Sequence, residues 1–391
     1  TGYNESWTQE LQLKSAPDTR LQWIGGGFYS NGASGYRPQL AFVGTTTVRA
    51  IYAGIDTESL AAFGQGTYEI LPSTRLTLGA RYTRDKREVL GNTALNGVIQ
   101  AAAFANTTTT WKKATWRAAL DHEIAEGKLV YVSVNTGFKS GYYNPSSYVT
   151  PANPETLTAY ETGFKTQWLD NRLRLNGSLY YYDYKNMQVT VIITPPGGVP
   201  TSFTQNAAKA RVKGFDLEMV AVPTDHLTIT GGLSVMDAKY KSYPNGNHFS
   251  PAPLRTCAIV PPPANATGGQ NSVAGCDLSG NDMIQAPPFT LNLSGNYKIP
   301  TEMGDFNLNV TYFHTDRWFF EPDNSLGNKG YDLVNASVRW TSSDGRWGAS
   351  VWGRNLTDAK YFLSGASTSA AKYYAAAEPG TFGATVSMHL Q

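Results

Sequence analysis

Leu227-Thr228-Ile229-Thr230-Gly231-Gly232-Leu233-Ser234-Val235 sets Leu227, Ile229, Leu233 and Val235 against Thr228, Thr230 and Ser234. Successive side chains of a strand point to opposite faces, so this segment has one apolar face and one wet face. The pattern repeats outward in both directions. In 75–84, Leu76, Leu78, Ala80 and Tyr82 oppose Arg75, Thr77, Arg81 and Thr83. In 172–181, Leu173, Leu175, Leu179 and Tyr181 oppose Arg174, Asn176 and Ser178. In 289–297, Phe289, Leu291, Leu293 and Tyr297 oppose Thr290, Asn292, Ser294 and Asn296, and 306–312 continues with Phe306, Leu308, Val310 and Tyr312. No segment of comparable length carries a helical period.

About fifteen such strands are predicted, at 4–15, 20–30, 58–70, 75–88, 112–124, 128–140, 157–169, 172–191, 208–222, 227–242, 287–299, 305–318, 331–342, 345–358 and 380–390. Many reach the roughly 10 residues that a tilted strand needs to cross a bilayer. Short polar turns at Ser15–Arg20, Leu71–Arg75, Ala125–Lys128, Leu169–Arg172, Pro223–His226, Pro300–Asp305 and Ser342–Arg346 alternate with long segments near 31–57, 89–111, 141–156, 192–207, 243–286, 319–330 and 359–379. All the long segments therefore emerge on one side, as in outer-membrane barrels. A soluble β-sandwich also alternates, but its strands are about 5–6 residues long and its loops lack this asymmetry. The expected fold class is all-β, a transmembrane antiparallel up-and-down β-barrel.

Composition agrees. No stretch approaches the ~18 apolar residues of a transmembrane helix, and mean hydropathy is −0.33. Alternation produces that average, because a barrel strand shows apolar residues only at every second position. The 23 Tyr, 9 Trp and 38 Gly suit interfacial girdles and hairpins; Tyr180, Tyr181, Tyr182 and Tyr184, and Trp318, Phe319 and Phe320, stand near strand ends. A net charge of +2, from 32 basic and 30 acidic residues, provides no electrostatic reason for a nucleic-acid partner. Cys257 and Cys276 share a polar, proline-rich segment. They are either two free thiols or, as favoured here, a loop disulfide formed in an oxidising compartment, which would stabilise by about 3 kcal/mol. Thr1 begins almost at once in a strand-like pattern, so the natural N-terminus is expected upstream.

Several motifs then narrow the class. Thr136-Gly137-Phe138-Lys139-Ser140-Gly141 with Asn144-Pro145 resembles a motif of TonB-dependent receptors, as does Pro154-Glu155 leading into Tyr160-Glu161-Thr162-Gly163-Phe164-Lys165. The hairpin Leu169-Asp170-Asn171-Arg172-Leu173, the strand Gly214-Phe215-Asp216-Leu217-Glu218, Tyr331-Asp332-Leu333-Val334-Asn335, Gly353-Arg354-Asn355-Leu356-Thr357-Asp358 and Pro379-Gly380-Thr381-Phe382-Gly383 follow in family order. Two departures stand out: the chain ends Leu390-Gln391 rather than on an aromatic residue, and Pro379-Gly380 replaces a Pro-Arg pair.

The resemblance implies a bacterial outer-membrane location and a barrel of about 22 strands. Residues 1–391 would be its C-terminal part, with the N-terminal plug, the TonB-interacting box and the first strands absent. Strand 4–15 should then not pair with 380–390. The implied function is TonB-coupled uptake of a scarce nutrient, with outer-membrane lipid, the TonB complex and a ferric chelate such as a siderophore as partners. Oligosaccharide or cobalamin uptake and a passive porin-like channel are the alternatives.

No enzyme chemistry, cofactor or metal is implied. There is no G-x-S-x-G elbow, and the five histidines are scattered without metal-ligand spacing. Arg81, Glu161, Lys165, Arg174, Glu218 and Arg354 are expected on the lumen face, in hydrated ion pairs or plug contacts. Asn355–Asp358 is expected to satisfy backbone groups at the rim. Ligand contacts are assigned to three loop groups: Tyr142, Tyr143 and Tyr148; Arg317, Trp318, Phe319 and Phe320; and Tyr373 and Tyr374. Aromatic faces stack on sugar or catecholate rings and Arg pairs with carboxylates; girdle or loop packing is the competing role.

Overall fold

The computed structural model describes residues 2–43, 47–100, 105–144, 147–193, 201–244, 246–249, 272–367 and 372–389. Its principal sheet is a path of fifteen strands in chain order. They are β1 (Gly2–Lys14), β2 (Leu21–Val43), β3 (Thr47–Leu71), β4 (Thr74–Leu95), β5 (Ala105–Ala125), β6 (Lys128–Lys139), β7 (Glu155–Trp168), β8 (Leu173–Ile193), β9 (Thr201–Thr224), β10 (Leu227–Ser242), β11 (Phe289–Thr301), β12 (Gly304–Thr315), β13 (Tyr331–Ser342), β14 (Trp347–Arg354) and β15 (Thr381–Met388). Each pairs antiparallel with its sequence neighbour, and β1 and β15 end the path without pairing to each other among the described residues.

Cross-strand register puts the apolar sets on one continuous face. Leu76 lies opposite Leu120, which lies opposite Val132. Tyr160 meets Tyr181, Phe215 meets Val235, and Leu233 meets Leu291. Leu308 meets Val338, which meets Val351. Side chains on this face are largely uncovered by protein: Leu11 on β1 is 71% exposed, and Val386 and Phe382 on β15 are 74% and 88%. Hydrocarbon supplies their partner, since a water-facing sheet would leave this apolar area uncompensated.

The other face is polar and lines the lumen. Ser294 and Thr311 hydroxyls lie 3.1 Å apart, and Tyr131 donates to the Glu161 carboxylate at 2.5 Å. Two of the lumen arginines rest on rings, while Arg75 pairs with Asp121 at 2.7 Å and Lys298 with Asp305 at 2.6 Å on the same face. The Arg81 guanidinium sits 5.2 Å from the Phe28 ring and 5.5 Å from Phe63, and that of Arg354 lies 5.2 Å from Trp352. Neighbouring residues alternate faces, which divides the Tyr180–Tyr184 girdle. Tyr181 faces lipid, 6.2 Å from Tyr160, whereas Tyr180 and Tyr182 stack at 4.9 Å on the lumen wall.

The short turns fall where expected. Gly304 (φ 122°) is required in one of them, because a Cβ there would come within 2.0 Å of the Thr341 carbonyl oxygen. The long segments need correction. Much of 31–57, 89–111 and 192–207 is strand, giving β3 25 residues and β9 24, against about 10 for a bilayer crossing. The ladders continue above the membrane because both partners extend together: Val43 still pairs with Thr47, and Ile193 with Thr201. Water makes no demand for apolar alternation there, so periodicity did not mark these extensions.

Asn355 secures the rim between β14 and β15. It adopts φ 49°, is 7% exposed, donates to the carbonyls of Ala359 (3.0 Å) and Glu378 (3.2 Å), and accepts from the Ala359 amide (2.8 Å). This matches the structural role expected for 355–358.

Two outcomes follow for unfolding in lipid vesicles. Leu233→Arg, on the lipid face, should cost about 2–4 kcal/mol, while Thr230→Arg on the lumen face should be nearly neutral. Equal costs would reverse the two faces. Asn355→Ala should cost about 2–4 kcal/mol, from stranded buried carbonyls and a left-handed backbone that alanine tolerates poorly; an unchanged urea midpoint would remove its rim role.

Candidate ligand vestibule

All three ligand groups lie at the long-loop end of the sheet. Small hairpins build that end: Tyr142–Asn144 with Ser147–Ala152, Gly246–Phe249 with Ser272–Cys276, Trp318–Phe319 with Gly327–Asn328, and Phe362–Ser367 with Lys372–Ala376.

The fold joins the second and third groups. Trp318 and Phe320 meet edge to face at 4.6 Å, Phe320 reaches Tyr374 at 6.5 Å, and Tyr374 packs on Phe362 at 4.2 Å. Tyr331 and Tyr361 stack alongside at 4.3 Å and 15°. The Arg317 guanidinium lies 5.5 Å from the Phe319 ring. Tyr373 and Tyr374 keep much of their surface exposed, at 56% and 43%, so ring faces remain open to a ligand.

Polar bonds clamp the two loops that carry these rings. The Glu321 carboxylate accepts from the Ser367 amide and hydroxyl, both at 2.6 Å. Lys372 donates to Ser325, and Asn328 bonds both backbone groups of Phe362, at 2.7 and 2.8 Å. Leu326 is buried beneath, and a Cβ on Gly365 would strike Leu326 and Phe320 at 2.9 and 3.0 Å. Sequence reasoning missed Tyr331, Tyr361, Phe362 and the Glu321 clamp. Their single signal was the Tyr361-Phe362 doublet, because contacts across roughly 30–50 residues leave no periodicity.

A second clasp joins the hairpin at 246–249 to the loop after β12. His248 Nδ1 and Asp323 Oδ2 lie 2.5 Å apart, both 3% exposed. Tyr243, Leu278 and Cys276 are buried beside Tyr240 in one cluster, and burial, with Tyr240 and Asp323 nearby, pushes the Tyr243 phenol above its ordinary range. The Asp277 carboxyl is held low by hydrogen bonds from the Ser279 hydroxyl and amide. Cys276 is disulfide-bonded; Cys257 lies outside the described residues.

The first group sits apart from the joined aromatics. Tyr143 is 2% exposed, packs 6.5 Å from Trp111 and shares a 2.5 Å hydrogen bond with Thr109. Tyr142 bonds the Thr204 hydroxyl. The Tyr148 side chain lies outside the described residues. Among the described residues no group of three His, Cys, Asp or Glu could hold a metal ion. The vestibule thus offers clamped aromatic surfaces with one guanidinium beside them, suited to a planar or apolar ligand bearing an anionic group.

Two substitutions separate packing from recognition. Tyr143→Ala should destabilise by about 3 kcal/mol through cavity formation, read by thermal unfolding. Tyr374→Ala, at a half-open site with two ring contacts, should cost about 1 kcal/mol; comparable losses at both would make Tyr374 a packing residue.

Comparison with known proteins agrees with this geometry. Residues 1–356 match the family described as TonB dependent receptor-like, beta-barrel. A probable TonB-dependent siderophore receptor, PiuA of Acinetobacter baumannii, is 26% identical over 191 residues, 46% of this chain and 24% of that protein. The metal-pseudopaline receptor CntO of Pseudomonas aeruginosa is 24% identical over 188 residues, 47% of this chain and 25% of that protein. The ferric yersiniabactin uptake receptor FyuA of Yersinia pestis superposes with a TM-score of 0.79 at 17% identity, over 99% of this chain and 54% of that one. The matched region thus spans about a quarter of the two curated relatives, and the chain about half of FyuA. The chain belongs to the TonB-dependent receptor β-barrel family, whose members reside in the bacterial outer membrane.

Proposed function

We propose that this barrel forms the wall and outer vestibule of a receptor that captures a ferric siderophore at the cell surface and imports it with TonB-coupled energy. The observation that carries the reading is the convergence of Arg317, Trp318, Phe320, Phe362 and Tyr374 into one clamped surface at the outer end. Relatives named as siderophore and metal receptors support the substrate class. The reading includes a plug and further barrel strands outside these 391 residues, with the polar lumen wall as the surface a plug contacts. No covalent bond is made or broken: the receptor binds, the energised inner membrane remodels the plug, and the ligand passes.

The test is uptake of radiolabelled iron in cells that express the full-length receptor and are offered a panel of ferric siderophores. At least one chelate should enter, and a protonophore or loss of TonB should stop it. Arg317→Gln with Tyr374→Ala should raise the half-saturating concentration about tenfold or more, from loss of a charge-assisted contact and a stacking face. Uptake that persists without TonB would point to a passive channel. Uptake confined to an oligosaccharide or cobalamin would replace the ferric chelate as cargo.

A further inference from the structure

The lipid-facing side of the sheet carries a groove that contacts between these strands do not fill. It runs over β6–β10, has a volume of about 750 Å³, and is lined by Val132, Tyr160, Leu179, Phe215 and Val235 with almost no polar surface. Its upper margin is charged. Two cross-strand rows lie there on the same face: Tyr181–Lys213–Asp237, and above it Asp183–Arg211–Lys239–Asp282. These rows stand about ten residues or more from the short turns, which places them at the outer boundary of the hydrocarbon, on the side from which the long loops emerge.

Acids balance the row lysines. Lys213 lies 3.2 Å from Asp237, and Lys239 lies 2.8 Å from Asp282. Arg211 is different. Its guanidinium lies 5.2 Å from the Tyr181 ring, and its Nε is buried without a hydrogen-bond partner. Lys185, on the same face above, adds another cation beside Asp183 at 3.6 Å. The margin therefore has four cations against three carboxylates, with a buried donor unsatisfied directly above an apolar groove. An anion at this height, attached to acyl chains below it, would balance the surplus cation and meet the outer part of the Arg211 guanidinium, while the chains fill the groove.

We propose that this groove and margin form a binding site for one outer-leaflet lipid of defined chemistry: an acylated, phosphorylated glucosamine lipid, the lipid A part of lipopolysaccharide. An acyl chain occupies the groove between Leu179, Phe215 and Val235. The glucosamine phosphate accepts hydrogen bonds from Arg211 and Lys213. The planar guanidinium fork of Arg211 matches the oxygens of a phosphate. The site lies on the lipid-facing side of the wall, and its upper row adjoins the vestibule loop through the Asp282–Asn324 hydrogen bonds.

The experiment titrates the full-length receptor in detergent with deep-rough lipopolysaccharide, its dephosphorylated form and phosphatidylglycerol, counting bound lipid by native mass spectrometry. One lipopolysaccharide should bind saturably. Affinity should fall about tenfold or more in the Arg211→Gln/Lys213→Gln variant and for the dephosphorylated lipid, because charge-assisted bonds are lost. Arg172→Gln, at the opposite end, should bind as the parent does. Val235→Trp fills the groove without altering charge and should weaken binding even if the double variant fails to assemble. Equal binding of phosphatidylglycerol, or undiminished binding by both the double variant and Val235→Trp, would overturn the proposal and leave an ordinary lipid annulus.

Discussion

A backbone amide or carbonyl that enters hydrocarbon unpaired costs several kcal/mol, and no water is present to offset it. The sheet answers that penalty by pairing each strand with its sequence neighbours, every second pair through a short turn, so that ladder hydrogen bonds form between segments adjacent in the chain. Such pairings carry little loop-closure entropy. Side chains are thereby released from holding the strands together, and this explains the strict division of faces. One face can be left wholly to lipid contact, with Phe382 and Val386 exposed, and the other to polar groups.

Above the bilayer the same ladders serve another purpose. β2–β3, β3–β4 and β8–β9 keep pairing well beyond the roughly 10 residues a crossing needs. They act as pillars that carry the outer end away from the membrane surface. Ordinary protein cores form there: Tyr143 packs with Trp111, Ile51, Ala53 and Val89, and Tyr240 with Tyr243 and Leu278. A chain with little core at membrane level thus acquires one at the level where loops must be held still. That is the physical condition for clamped aromatic surfaces rather than a drifting set of loops.

What could be read beforehand follows from this division. Period-two alternation is imposed by lipid on one side and water on the other, so Leu227–Val235 and its counterparts announced membrane strands, and strands in neighbour order followed from the short turns. Where lipid stops, alternation loses its cause, and the strand character of 31–57 and 192–207 went unrecognised. The vestibule was partly legible: Trp318, Phe320 and Tyr374 were picked out singly as aromatic loop residues. Their union depended on Glu321 reaching Ser367 and on Asn328 reaching Phe362, contacts without any local pattern. Tyr142 and Tyr143 looked equivalent to them in composition; only packing against Trp111 distinguishes a buried tyrosine from an offered one.

The same reasoning explains why charge sits where it does. Within the lumen, water is present but dielectric screening is incomplete, and arginines such as Arg81 and Arg354 rest on Phe63 and Trp352. A ring face stabilises a guanidinium without neutralising it, so these positive charges remain available to whatever enters the lumen. On the lipid side, charge stands at the margins: Lys213 and Lys239 at the upper one are paired with acids and can reach headgroups, and Lys128 at the lower one rests on Trp168. One polypeptide thus presents cations in two settings separated by the thickness of a single sheet. The setting, rather than the residue type, decides whether each faces the lumen or the membrane.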